Sequence, residues 1–233
     1  FMQPLDTLAA ETLGALEAGD PVMTRDPRLR SAWSRFILSM MLRGPEAMAA
    51  LKRGVETQWQ KSSPALETRY ASMRRPDDPP TLPEYLERLG KNLDSWAMSL
   101  APRLIDHHMI GEVLNNMRWI IRRITSEAGE LLTSDRPVLS SWTLTEQNAF
   151  LFLPIGPRAM FVAVNDIETQ RIVEARDPAE QVRSWNQFAV GRAIRYVYGR
   201  NDAHLGFVSE HFGQHRRPTL LEQLADRYDG EAS

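Results

Sequence analysis

Thr133, Ser134 and Asp135 stand side by side in the stretch GELLTSDRPV, Gly129–Val138, and bring three oxygen-bearing side chains to one point of the chain. A carboxylate held at a strand end can act as a base, bind a metal or orient a partner. The competing role is structural: an aspartate in a turn accepts hydrogen bonds from backbone N–H groups just downstream. Serine chemistry has less support. A nucleophilic Ser134 needs a base within hydrogen-bond reach, nothing local supplies one, and there is no G-x-S-x-G elbow. Asp135 can instead pair with an arginine from elsewhere, Arg43 or Arg118, as a buried bridge or as half of an anion site, and the bridge is the favoured form.

Two further groups have metal-ligating residue types. In Asp106-His107-His108 the neighbouring histidines of a helix point about 100° apart and do not converge on one ion. His108 and Glu112 share a helical face, but two ligands leave a zinc site unfilled. Near the C-terminal end, His211 and His215 lie one turn apart if the segment Ser209–His215 is helical. Gly213 weakens that helix, and Arg216-Arg217 repels a cation. Neither group is assigned a metal. With no glycine-rich loop for phosphate, no cofactor-binding residue is assigned, and both cofactor and partner stay open.

The elements that must position the TSD triplet follow from local patterning. Leu131 and Leu132 form an apolar pair after a glycine. Pro137 fixes its own φ and pushes Arg136 out of helical space, and Val138-Leu139 resumes an extended pattern. The expectation is strand, turn, strand, with Asp135 at the turn. A long amphipathic helix is expected to run into it over Leu104–Thr125, begun by Pro102 and placing Arg118 and Arg122 on one face. Phe150–Leu153 and Met160–Val164 read as an antiparallel hairpin whose turn, PIGPR, is longer than two residues.

Upstream, Pro4–Glu17 reads as a helix ended by Gly19. Asp26-Pro27 starts a second, with Leu29, Trp33, Phe36, Ile37, Met40 and Met41 as its stripe. Pro45 restarts a helix through Trp59, and Lys61–Pro83 is proline-rich and reads as an exposed loop or partly helical excursion. Thr81–Pro83 begins another helix that carries Leu86, Leu89, Leu93, Trp96 and Leu100 inward. Asp177-Pro178 starts one with Val182, Trp185, Phe188, Ala189 and Ala193 along one side. A short helix over Pro218–Tyr228 lies in the polar tail.

The run from Trp119 to Val138, WIIRRITSEAGELLTSDRPV, resembles the central motif of a bacterial family known as domain of unknown function 4238. That motif is a Trp-bearing helix, an apolar pair, then T-S-D, Asn or Arg, and P-V. Phe150–Phe161, FLFLPIGPRAMF, resembles the family's strand, Pro-containing turn and strand. Arg43, in LRGPEA, looks like its earlier Arg-x-Pro step, and Asn165 looks like its Asn after the second strand. The resemblance spans about Asp6 to Gly199. Family members open with a His-Tyr-Val-Pro-Gln segment, whereas this sequence starts at Phe1-Met2-Gln3, so a site using that histidine is expected to be incomplete. No activity is implied.

The 233 residues are 42% hydrophobic and 25% charged, ordinary for a globular protein with a real core. A net charge of −2 argues against a generally nucleic-acid-binding surface. No apolar run approaches the ~20 residues that span a bilayer, and the first residues lack the pattern of a signal peptide. Zero cysteines exclude disulfides, thiolate metal sites and cysteine nucleophiles. The expectation is a soluble cytoplasmic α+β domain, 1–233, mostly helical to residue 125. A small antiparallel sheet plus helix follows over 129–199, and a polar tail over 200–233. The central helix is expected to pack on that sheet. Two function classes follow. One is a hydrolase-like enzyme with a site of Asp135, Ser134, Arg43, Arg118 and Asn165. The other is a non-catalytic binding or regulatory domain in which the turn is structural.

Overall fold

The computed structural model describes residues 2–20, 25–141 and 143–215. The chain divides into two compact units: the described residues up to Gly44 and from Asp106 onward form one, and Pro45–Ile105 the other. The architecture is α+β and mostly helical, with one small antiparallel sheet of four strands and one of two.

In the first unit, α1 (Met2–Ala18) ends at Gly19, whose φ of +72° suits glycine. Gly19 N–H donates to the Leu16 carbonyl and Asp20 N–H to the Ala15 carbonyl, closing a Schellman motif. The Asp26 side chain caps α2 (Pro27–Leu42) by accepting from Arg28 N–H, with Pro27 in the first turn as expected. Then come α6 (His108–Asn116) and strands β1 (Arg118–Arg123), β2 (Thr133–Ser134), β3 (Leu139–Ser140), β4 (Phe150–Gly156) and β5 (Ala159–Val164). After these, α7 (Ile167–Ala175), α8 (Pro178–Gly191), β6 (Val197–Tyr198) and α9 (Leu205–His211) complete the unit.

The larger sheet has the order β1-β5-β4-β3, all neighbours antiparallel, while β2 pairs with β6. Side-chain alternation splits the core in two. Leu151, Leu153, Phe161 and Ala163 join Leu16 of α1, Trp33 and Ile37 of α2 and Leu114 of α6. Phe152, Met160, Val162 and Val164 face the other way, toward Val173 of α7 and Val182 and Trp185 of α8. Every residue of β5 is therefore buried, which is why AMFVAV reads as a continuous apolar run.

The expected helix over Leu104–Thr125 is corrected. Its apolar residues divide among the end of α5 (Leu93–Ile105), α6 and β1. Met117 turns to extended backbone with ψ 155°, and R-W-I-I-R-R continues as a strand, the state that consecutive β-branched and aromatic residues favour. Arg30 fixes the break: its guanidinium donates to the carbonyls of Asn115 (2.6 Å) and Met117 (2.8 Å). It also lies 3.7 Å from the centre of the Trp119 ring. Burial holds its pKa below the ordinary arginine value. Arg118 and Arg122 still share a face, now by strand alternation, and reach Gln170 of α7 and Gln181 of α8. The central segment thus contributes a strand to the sheet as well as the helix packed on it.

The expected hairpin is present, but its loop is tighter than expected. Gly156 pairs with Ala159, leaving Pro157-Arg158 as a two-residue connection, and a bulge lies between Pro154 and Gly156. In the second unit, α3 (Pro45–Met73) runs far past Trp59 with Pro64 inside it, so the irregular stretch is confined to residues 74–81. Thr81 caps α4 (Leu82–Arg88), which Gly90 (φ +66°) ends before α5 (Leu93–Ile105). Pro102 lies within α5 instead of starting a helix. Leu89 and Trp96 are 49% and 44% exposed, against the expectation that they point inward. The expected helix over Pro218–Tyr228 lies outside the described residues. No helix among those described is long and apolar enough to cross a membrane.

Candidate functional site

The stretch GELLTSDRPV is held along its backbone by three other segments. Gly129 sits at φ +103° after a short 3-10 turn over Ser126–Ala128. Leu131 N–H donates to the Pro157 carbonyl in the hairpin loop at 2.8 Å. Asn186 of α8 bridges the next residues: its Oδ1 accepts from Leu132 N–H and its Nδ2 donates to the Glu130 carbonyl, both at 2.8 Å. Thr133 and Ser134 then pair with Tyr198 and Val197. Glu130 receives Arg158 at 3.5 Å and Arg200 at 3.3 Å.

Asp135 stands at the turn, as its sequence context requires, but its acceptors face a different chain segment. One carboxylate oxygen takes Ile194 N–H at 3.0 Å and the other Arg195 N–H at 2.8 Å. Its own N–H donates to the Tyr196 carbonyl at 3.1 Å. The local Asx-turn expected of Asp135 is therefore corrected. The nearest downstream donor, Arg136 N–H, goes to Ser134 Oγ at 3.2 Å, and Pro137 has no N–H to offer. Ser134 itself is buried. Asp135 thus shapes the chain leaving α8, and fixes the start of β6.

The other candidate residues stand apart from it. Arg43 follows α2 and reaches Asp6 at 3.8 Å. Arg118 opens β1 and donates from Nε to Gln170 at 2.8 Å. Asn165 follows β5, where its Nδ2 donates to the carbonyls of Leu144 (2.8 Å) and Glu146 (2.6 Å) and ties down the loop before β4. The expected Asp135–arginine bridge does not form among the described residues. Next to Asn165, Asp166 caps α7. The Thr169 hydroxyl, then the Thr169 and Glu168 N–H groups, hold its carboxyl below the ordinary aspartate value.

Asp106 pairs with Arg35 at 3.1 Å, and His107 occupies the N-cap position of α6. The side chain of His108 lies outside the description. The helical spacing that would align His211 with His215 is not formed, because α9 stops at His211 and Gly213 turns at φ +68°. His211 stacks on Phe207, and its Nδ1 faces the Phe207 carbonyl at 3.0 Å. Among the described residues, no three metal-ligating side chains gather.

What sequence reasoning missed is a shallow dent of about 10 Å³, room for about one water, beside the TSDRPV turn. Its floor is the α8 face that carries Trp185, Phe188, Ala189 and Arg192, at spacings of three, one and three residues. Arg136 and Leu139 border it from the turn and β3. The legible signal was Arg192, which continues an otherwise apolar stripe with a cation.

The profile of the family described as Protein of unknown function (DUF4238) matches residues 1–203, and the chain belongs to that family. No curated protein and no solved structure matches it.

Proposed function

We propose that this family member is a non-catalytic binding domain in which the TSDRPV turn is structural. The observation that carries the reading is the engagement of Asp135: each of its oxygens accepts a backbone N–H, from Ile194 and from Arg195. A general base needs an oxygen directed at a substrate proton. Both oxygens of this carboxylate are instead held by the main chain, and Arg43, Arg118 and Asn165 each bind other partners away from it. The turn orders the segment that follows α8, and with it one border of the dent. Thermal unfolding of Asp135→Ala and Asp135→Asn tests the reading. Both lose stability if the turn is structural, and unchanged stability in both overturns it.

A further inference from the structure

Past the residues that the family profile matches, the chain folds back onto the end of α8. Two backbone bonds make the attachment. Gly213 N–H donates to the Val190 carbonyl at 3.1 Å, and His215 N–H donates to the Gly191 carbonyl at 2.8 Å. The fit needs glycine on both sides: Gly213 turns at φ +68°, and a Cβ at Gly191 would stand 2.8 Å from Cδ2 of the His215 ring. The segment is ordered internally, since His211 stacks on Phe207 at 4.3 Å and Phe212 N–H donates to the Val208 carbonyl at 2.9 Å. Yet no residue of α9 is buried, and Leu205 and Phe212 are exposed. A segment that buries so little apolar surface opens at a lower free energy than a sheet whose strand β5 is buried throughout.

We propose that residues 205–215 form a latch that opens as a unit, and that its closure is coupled to the TSDRPV turn through residues 190–195. The carbonyls of Val190 and Gly191 hold the latch, while the N–H groups of Ile194 and Arg195 are held by Asp135. Between these two sets of bonds, Ala193 N–H donates at 3.2 Å to the same Val190 carbonyl that receives Gly213, and both Val190 and Ala193 are buried. A shift at either end therefore displaces the bonding groups at the other. By linkage, the closed latch steadies the turn by the same factor as the turn steadies the latch. Whatever loosens the turn is read out at the latch. The inference rests on the reading of Asp135 as structural.

Native-state amide hydrogen exchange on the full chain, followed by two-dimensional NMR, tests it. In the unaltered protein the Gly213 and His215 amides should be freed by openings roughly a hundredfold more frequent than those that free the amides of β5. Gly213→Pro removes one donor and forbids the positive φ, so it opens the latch without touching the turn. Ile194 and Arg195 should then exchange about tenfold faster while β5 is unchanged. His215→Pro removes the other donor and should give the same result. Asp135→Asn should in turn speed exchange at Gly213 and His215 about tenfold. Each variant's spectrum reports whether it is folded. Openings at Gly213 and His215 no more frequent than those of β5 would overturn the latch. Ile194 and Arg195 amides indifferent to both proline variants would overturn the coupling. In Asp135→Asn, faster exchange at Ile194 and Arg195 with no change at Gly213 and His215 would overturn the coupling and leave the reading of Asp135 standing. Unchanged protection at Ile194 and Arg195 in that variant would sink both.

Discussion

Replacing Asp135 with alanine removes two charge-assisted hydrogen bonds, at 3.0 Å to Ile194 N–H and 2.8 Å to Arg195 N–H. Bonds of this kind contribute about 1.5–3 kcal/mol each. Arg195 is exposed, so water can replace its lost acceptor, whereas Ile194 is half-buried and bears more of the desolvation cost. The net loss should be about 2–4 kcal/mol. For a unit of this size that corresponds to a fall in Tm of roughly 5–12 °C. Asp135→Asn is the sharper variant. It keeps the shape and one acceptor oxygen but turns an NH₂ group toward a backbone N–H, so it should lose at least half as much as alanine. Differential scanning calorimetry measures the loss, and amide hydrogen exchange localises it. Protection should fall first at Ile194 and Arg195 and next at Val197, across the β2–β6 pairing. An Asp135→Asn protein that melts with the unaltered chain and keeps its protection at both amides would refute the argument. The carboxylate would then be held for something other than the fold.

Three further outcomes follow from other contacts. Arg30→Met should cost about 2–4 kcal/mol in chemical denaturation, because it leaves the Asn115 and Met117 carbonyls without their donor and unstacks Trp119. An unchanged midpoint would mean that Arg30 does not hold the break between α6 and β1. Asn186→Leu keeps the branched side-chain shape but strands Leu132 N–H and the Glu130 carbonyl; a loss of about 2–3 kcal/mol is expected, read the same way. Asp166 has a folded pKa below its ordinary value of 3.8. Its contribution is therefore complete above that value and is lost as pH falls through the lower folded value. Asp166→Asn should flatten this acid limb of the stability profile; an unaltered limb in acid titrations of the melting point would count against the cap.

Much of the fold was legible where the determinants are local. Asp26-Pro27, Thr81 and Asp177-Pro178 each begin a helix because the capping oxygen and the proline lie within a few residues of the N–H groups concerned. The β4–β5 hairpin was legible from two apolar runs around a proline-containing turn, but its bulge and tight loop were not. The helix expected through Thr125 failed because a helical and an extended reading of M-R-W-I-I-R-R place similar numbers of apolar residues inward. The deciding contact is Arg30 against the carbonyls of Asn115 and Met117, 85 and 87 residues away. The short helix α7 went unread even though Asp166 caps it locally.

The candidate site divides along the same line. That Asp135 sits at a turn between two extended segments was legible from Pro137 and the flanking leucines. The direction of its carboxylate was not, since the two N–H groups it accepts lie 59 and 60 residues downstream. A dense polar triplet in sequence marks a place where the main chain needs partners just as readily as a place where a substrate does. Here the need is visible in the structure. The chain leaves α8 at Gly191 and must present β6 to β2, and the intervening Ile194 and Arg195 N–H groups find no helical or sheet acceptor of their own. An acceptor with two oxygens on the facing turn satisfies both at once. Asparagine can satisfy only one of them, and serine is too short to span the pair. The physical role of Asp135 is therefore to hold the chain that follows α8 onto the turn.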